Sequence, residues 1–153
     1  MRRLHRTAWL GAGALVLALT FGNAMASIAT DEAIKAVVLD YAEGWATGDA
    51  ERMARALHPE AVRRRVVTDV LSGEHRLQHM DATALIQATR AGAGKPLEPG
   101  PLNLRIAILD HHGDMATARV VSPLYVDYLQ LVRWEDRWVV LTVLWGTIAS
   151  PGD

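Results

Sequence analysis

Trp138-Val139-Val140-Leu141-Thr142-Val143-Leu144-Trp145 decides the fold class of this chain. Eight consecutive residues carry β-branched or aromatic side chains broken only by leucine, too rich in strand formers to read as a helix. Strict alternation would put Trp138, Val140 and Leu144 on one side and Val139, Leu141, Val143 and Trp145 on the other, so both faces are apolar. An antiparallel sheet in a small domain usually buries one face. The sequence therefore predicts helices on one side and a second copy of the chain on the other.

Working backwards, Glu135-Asp136 turns the chain out of a strand over Leu124–Trp134, and Ser122-Pro123 marks a bulge or an edge, because proline cannot donate to a ladder. Met115–Val121 and the alternating run Leu104, Ile106, Ile108 form a hairpin through His111-His112-Gly113-Asp114. Before it, Gly92, Gly94, Pro96, Pro99, Gly100 and Pro101 make Ala91–Pro101 a loop dividing a helical half from a strand half. Asp81 reads as the N-cap of a helix to about Arg90, with Leu85 and Ile86 inward. Ala61–Val70 is β-prone around Val66-Val67-Thr68, ahead of a Ser72-Gly73 turn.

The first helix reads from Thr30, a candidate N-cap followed by Asp31 and Glu32. Ile34, Val37, Val38, Tyr41 and Trp45 share one face at spacings of three or four. Gly48 stops it, and Asp49 caps a shorter helix through Leu57, with Met53 and Leu57 on one face and His58 at its C-terminal end. Helices first and an antiparallel meander afterwards make an α+β domain.

The beginning of the chain has a different character. Arg2, Arg3 and Arg6 precede an uncharged apolar stretch from Ala8 to Leu19, and Ala24-Met25-Ala26 is a small-x-small cleavage pattern. The expectation is a signal peptide over residues 1–26 and one domain over residues 27–153, secreted or periplasmic. The apolar stretch is well short of the roughly 20 residues that span a bilayer, so no stable membrane insertion is expected after cleavage.

The chain has 153 residues and no cysteine, which excludes disulfides, thiolate nucleophiles and thiolate metal sites. Without the leader's arginines, 13 basic side chains face 17 acidic ones. Nucleic-acid binding needs clustered positive charge and is not expected. Arg63-Arg64-Arg65 is the only basic run and reads as alternating between solvent and an ion pair, or as supplying one anchor for an anion. His75 and His79, and the pair His111-His112, lack a third ligand at informative spacing, so no metal or other cofactor is expected. Ala91-Gly92-Ala93-Gly94-Lys95 lacks the full phosphate-loop pattern, and Ser122 lacks the context of a serine nucleophile.

Tyr41-Ala42-Glu43-Gly44-Trp45 and Gly48-Asp49-Ala50, in this order of elements, resemble the nuclear-transport-factor-2-like superfamily. Leu57-His58-Pro59-Glu60, Asp127-Tyr128-Leu129-Gln130-Leu131-Val132 and the Trp138–Trp145 strand narrow the resemblance to its putative-lumazine-binding group, over roughly Asp31 to Gly146. The resemblance implies a cone-shaped fold: N-terminal helices packed in a strongly curved, mostly antiparallel sheet, with a pocket between them and a homodimer through the outer sheet face. It implies that an acid/base Asp or His projects into the cone in catalytic relatives. It singles out Tyr41, Trp45, Met53, His58, Asp127, Leu129 and Trp145.

Among these, Asp127 interrupts a strand otherwise suited to burial, so its carboxylate must be bonded, paired or raised in pKa. It is either a structural carboxylate pairing with an arginine such as Arg64 or Arg119, or a group that meets a ligand. Paired with His58 it would form an acid/base unit. Trp45 and Trp145 are the better candidates for stacking a ligand, and Trp134 and Trp138 read as cross-strand packing. Three functions follow: an exported binder of a small organic molecule, a small-substrate isomerase, dehydratase or hydrolase-like enzyme using Asp127 and His58, or a protein-interaction module.

Overall fold

The structure is a computed structural model describing residues 11–98 and 100–148, with side chains from Met25 onward. The arginines of the expected leader lie outside the described residues. Two compact units divide the chain, residues 1–32 and 33–153. The first is helical from Gly11, within helix α1 (Gly11–Thr47). Its Thr30 hydroxyl donates to the Ala26 carbonyl at 3.0 Å inside that helix, so Thr30 is not the N-cap that its sequence suggests. Among the described residues no helix is long and apolar enough to cross a membrane.

The second unit contains the rest of α1 followed by α2 (Ala50–Ala56), β1 (Leu57–Thr68), β2 (His75–Asp81), α3 (Ala82–Arg90), β3 (Arg105–His112), β4 (Met115–Val121), β5 (Tyr125–Trp134) and β6 (Arg137–Thr147). The strands form one curved, unclosed six-stranded sheet in the order β2-β1-β6-β5-β4-β3. Every neighbouring pair is antiparallel except β1 and β6, which are parallel. This is the expected α+β class.

Helix α1 buries the face that its periodicity announces: Ile34, Val38, Tyr41 and Ala42 are buried, with Val37 and Trp45 packed at the margin. Gly48, at φ 77°, ends it in a conformation that side-chain-bearing residues rarely adopt. Asp49 then caps α2 by accepting from the Glu51 and Arg52 backbone N–H groups at 3.1 and 3.0 Å. Asp81 caps α3 through Ala84 N–H at 2.8 Å. The Glu135-Asp136 turn has both residues at positive φ, 48° and 62°, as a two-residue hairpin requires.

Three corrections come from the strands. β1 begins at Leu57, directly after α2, and Pro59 sits inside it. The β1–β6 register is broken between Leu57 and Val62, and in that irregular stretch a proline costs no ladder bond. β2 was not announced by the sequence, because His75-Arg76-Leu77-Gln78-His79 has no apolar alternation and forms an exposed edge. In β6, Leu131 pairs with Val140 and Gln130 with Thr142, so Leu141 is an extra residue that reverses the parity of the strand. Trp138, Val140, Val143 and Trp145 consequently all join the core, together with Leu129 and Leu131 of β5 and Ala116, Ala118 and Val120 of β4. Val139, Thr142 and Leu144 take the other face. The strict alternation expected for this strand is wrong for that reason.

Candidate functional site

Tyr41 and Trp45 lie one turn apart on α1, and both line a cavity of about 350 Å³ within the second unit. Its opposite wall is Val120 on β4 with Leu124, Tyr125 and Asp127 at the start of β5. The loop before β3 forms a third side through Gly94, Pro96, Leu97, Pro101, Leu102 and Leu104. Gly94 is required there. A Cβ at this position would overlap the Trp45 indole, so only glycine lets the loop lie against that ring. The Pro/Gly-rich loop was expected as a connection, and its use as a cavity wall was not.

Asp127 is buried, 6% exposed, on the inward face of β5. Its Oδ1 accepts from the Tyr41 hydroxyl at 3.0 Å and from Arg63 Nη2 at 3.1 Å. Arg63 comes from β1, where Ala61 and Arg63 point inward and Arg64 points out. β6 separates β1 from β5, so the bond crosses about 10 Å of sheet, within reach of an extended arginine. Trp145, opposite Asp127 on β6, lies beneath the crossing. The guanidinium sits 3.8 Å from the Trp145 ring centroid and 4.8 Å from that of Trp45. Two indoles thus strip water from the cation while their faces attract it. Arg65 lies 4.4 Å over Trp145 and donates from Nε to the Gln78 side chain at 2.6 Å.

Burial raises the Asp127 carboxyl above its ordinary range, against the opposing pull of the Arg63 charge and of the Arg63 and Tyr41 hydrogen bonds. The Tyr41 phenol is raised well above its ordinary value by burial and by the neighbouring carboxylate, so it stays a neutral donor. Arg63 Nε and Trp45 Nε1 are buried without a hydrogen-bond partner. The arrangement can present one carboxylate, already balanced by a cation, to a largely apolar and aromatic cavity whose lining also includes Glu98 and Ser122.

The expected site residues therefore separate. Tyr41, Trp45 and Asp127 come together at the cavity. Trp145 lies behind them, edge-on to the cavity residue Tyr125 at 5.4 Å between ring centroids. Met53 and Leu129 are fully buried core residues outside the cavity lining. His58 is in β1, beyond the end of α2, and accepts the Glu60 N–H on Nδ1 at 3.1 Å. Its ring meets Trp134 edge-on at 5.0 Å, and it lines a separate recess with Ile86 and Arg137. Leu57 stands opposite Val140 and Asp127 opposite Trp145, so His58 and Asp127 are separated by roughly 15 Å of strand and form no acid/base pair.

The arginine that holds Asp127 is Arg63, in place of Arg64 or Arg119. Arg64 is exposed, and Arg119 stands opposite the half-exposed Tyr128 on the outward face. Alternation from Ala61 would have identified Arg63 had β1 been read from Leu57. Trp134 is exposed and opposite Arg137, while Trp138 is buried and opposite Arg133, so the two tryptophans are not a cross-strand pair. Among the described residues no three His, Asp or Glu side chains gather as metal ligands.

The fold is shared with solved structures. A nuclear-transport-factor-2-like protein of unknown function from Shewanella baltica aligns with TM-score 0.63 at 23% identity, covering 80% of this chain and 97% of that one. A second, from Silicibacter pomeroyi, gives 0.64 at 19% identity over 80% and 98%. One from Novosphingobium aromaticivorans, described as having a cystatin-like fold, gives 0.56 at 13% identity over 86% and 90%. None of the curated proteins matches the sequence significantly. A family model described as "Putative lumazine-binding" matches residues 29–146, and the chain, whose fold is that of the nuclear-transport-factor-2-like structures above, belongs to that family.

Proposed function

We propose that this domain binds a small, partly apolar organic molecule in the cavity between Tyr41, Trp45 and the start of β5. The observation that carries this reading is the cavity itself: about 350 Å³, within the size range of small-molecule sites, walled mostly by aromatic and aliphatic side chains, with Asp127, Glu98 and Ser122 among the polar ones. The family, described as putative lumazine-binding, and the fold support a small-molecule-binding domain. The test is native mass spectrometry of protein purified from its host, with and without Val120→Phe, which adds bulk to the cavity wall. A small-molecule adduct that the variant loses supports the reading. Adduct-free protein from the host, together with a failure to bind any apolar probe, overturns it and moves the weight to a protein-interaction module.

A second reading, proton transfer by Asp127, is favoured by the burial that raises its carboxyl toward the range of a general base. An activity unchanged by Asp127→Asn removes it. Export through the leader and homodimerisation through the outer sheet face complete the proposal. The dimer is supported by Val66, Leu77, Tyr128 and Leu144, apolar or aromatic side chains left exposed on that face. A concentration-independent monomer mass in sedimentation removes the dimer, and retention of residues 1–26 on protein recovered from the host removes export.

A further inference from the structure

Three features of the cavity limit what can occupy it. The first is the sign of its charge. Among the described residues that line it, the charged side chains are Asp127 and Glu98, both acidic, with no Lys, Arg or His. The second is that the cation beside Asp127 is already committed. Arg63 is 2% exposed, bonded to Asp127 Oδ1, 4.8 and 3.8 Å from the Trp45 and Trp145 ring centroids, and not part of the cavity lining. The third is the free side of the carboxylate. Tyr41 and Arg63 both bond Oδ1, so Oδ2 carries neither bond and is the oxygen on which a ligand's donor can land.

An anion in this cavity would face like charge from Asp127 and Glu98 with no cationic side chain in the described lining to offset it, which is the costly arrangement for an ion taken from water. A cation directed at Asp127 would sit close to the Arg63 guanidinium that already balances that carboxylate, which leaves Glu98 as its acidic partner among the described lining residues. A neutral hydroxyl or N–H meets neither cost and gains a hydrogen bond to an ionised acceptor, stronger than one between neutral groups. Flat rings suit the remaining wall, since Tyr41, Trp45 and Tyr125 line it with aliphatic neighbours.

We infer that the cavity selects an uncharged molecule with flat, largely apolar rings and one O–H or N–H donor directed at Asp127, and that it discriminates against carboxylates. This rests on the pocket reading above and adds the ligand's chemical class. It also assigns the basic run a different part from anion anchoring: Arg63 sets the charge of Asp127 and does not contact the ligand.

Calorimetric titration of the full chain at neutral pH with four probes of one shape tests it: 2-methylnaphthalene, 2-naphthylmethanol, 2-naphthoate and 2-naphthylmethylammonium. The expected order puts 2-naphthylmethanol about tenfold or more tighter than 2-methylnaphthalene, and 2-naphthoate weakest. In Asp127→Asn the affinity gap between 2-naphthoate and 2-methylnaphthalene narrows. If 2-naphthoate or the ammonium probe binds tightest, or the alcohol binds no better than the hydrocarbon, the inference is overturned and the pocket reading stands. Absence of binding by all four overturns both.

Discussion

Arg63 bonds Asp127 at 3.1 Å across an intervening strand, with the Trp145 indole beneath its guanidinium at 3.8 Å. Both charged side chains are almost wholly enclosed, and the Tyr41 hydroxyl is a further donor to Asp127 Oδ1. A pair of this kind need not add much net stability, because desolvation of two ions offsets their attraction, but a partner left alone in such a place is costly.

The single substitution Arg63→Met should therefore destabilise the domain by about 3–5 kcal/mol, since it strands the buried Asp127. Arg63→Met combined with Asp127→Leu should recover a large part of that loss. Urea denaturation of the wild type, both single variants and the double variant measures the coupling. Additive losses would show that the two side chains do not act as a pair.

The raised Asp127 carboxyl also sets a pH dependence. Its folded-state value lies above the unfolded one, so between the two values the folded state holds the extra proton. Stability from this group is then fullest below the ordinary carboxylate value and is lost as pH rises through the raised one. The stability of wild type minus that of Asp127→Asn, measured by denaturation across mildly acidic pH, should fall with increasing pH. A difference that rises would mean that the Arg63 and Tyr41 interactions outweigh burial.

How much of this was legible in sequence depends on what each feature needed. Helix α1 was readable because Ile34, Val38, Tyr41 and Trp45 keep one period, and the caps at Asp49 and Asp81 are local chemistry. The Leu141 bulge was not, since one extra residue in a ladder leaves no mark on composition, yet it decides that Trp145 joins Trp138 on the core face. Asp127 stood out as a carboxylate in an apolar strand. Its partner did not, because Arg63, Arg64 and Arg65 are equivalent until the start of β1 is known. His58 and Asp127 were each plausible alone. Only the register of β6 against both neighbouring strands separates them.

Asp49 fixes the junction between α1 and α2 by accepting two backbone N–H groups. Asp49→Ala should cost about 1 kcal/mol, the usual value of an N-cap. Thermal denaturation of the variant checks this, and an unchanged Tm would mean that packing of Met53 alone fixes the helix.

Gly94 lies against the Trp45 ring where no side chain fits. Gly94→Ala should push the loop away, cost about 1–3 kcal/mol as other overpacked contacts do, and change the emission of Trp45. In a Trp45→Phe background the same substitution should leave the emission spectrum unaltered. An equal spectral change with and without Trp45 would place the effect elsewhere.

Tyr41 offers the finest probe of the cluster because Tyr41→Phe removes one oxygen and keeps the ring that packs in the core. The lost hydroxyl is a donor to the charged form of Asp127, so its removal should raise the Asp127 carboxyl further, where it already stands above its ordinary value. The cost in stability should be about 1.5–3 kcal/mol above the Asp127 titration, the worth of a hydrogen bond to an ionised group, and should shrink below it, where the carboxyl is protonated. Carboxyl-carbon NMR of Asp127 in both proteins reads the titration directly. A midpoint that stays in place on Tyr41→Phe would mean that Arg63 alone governs the charge of Asp127.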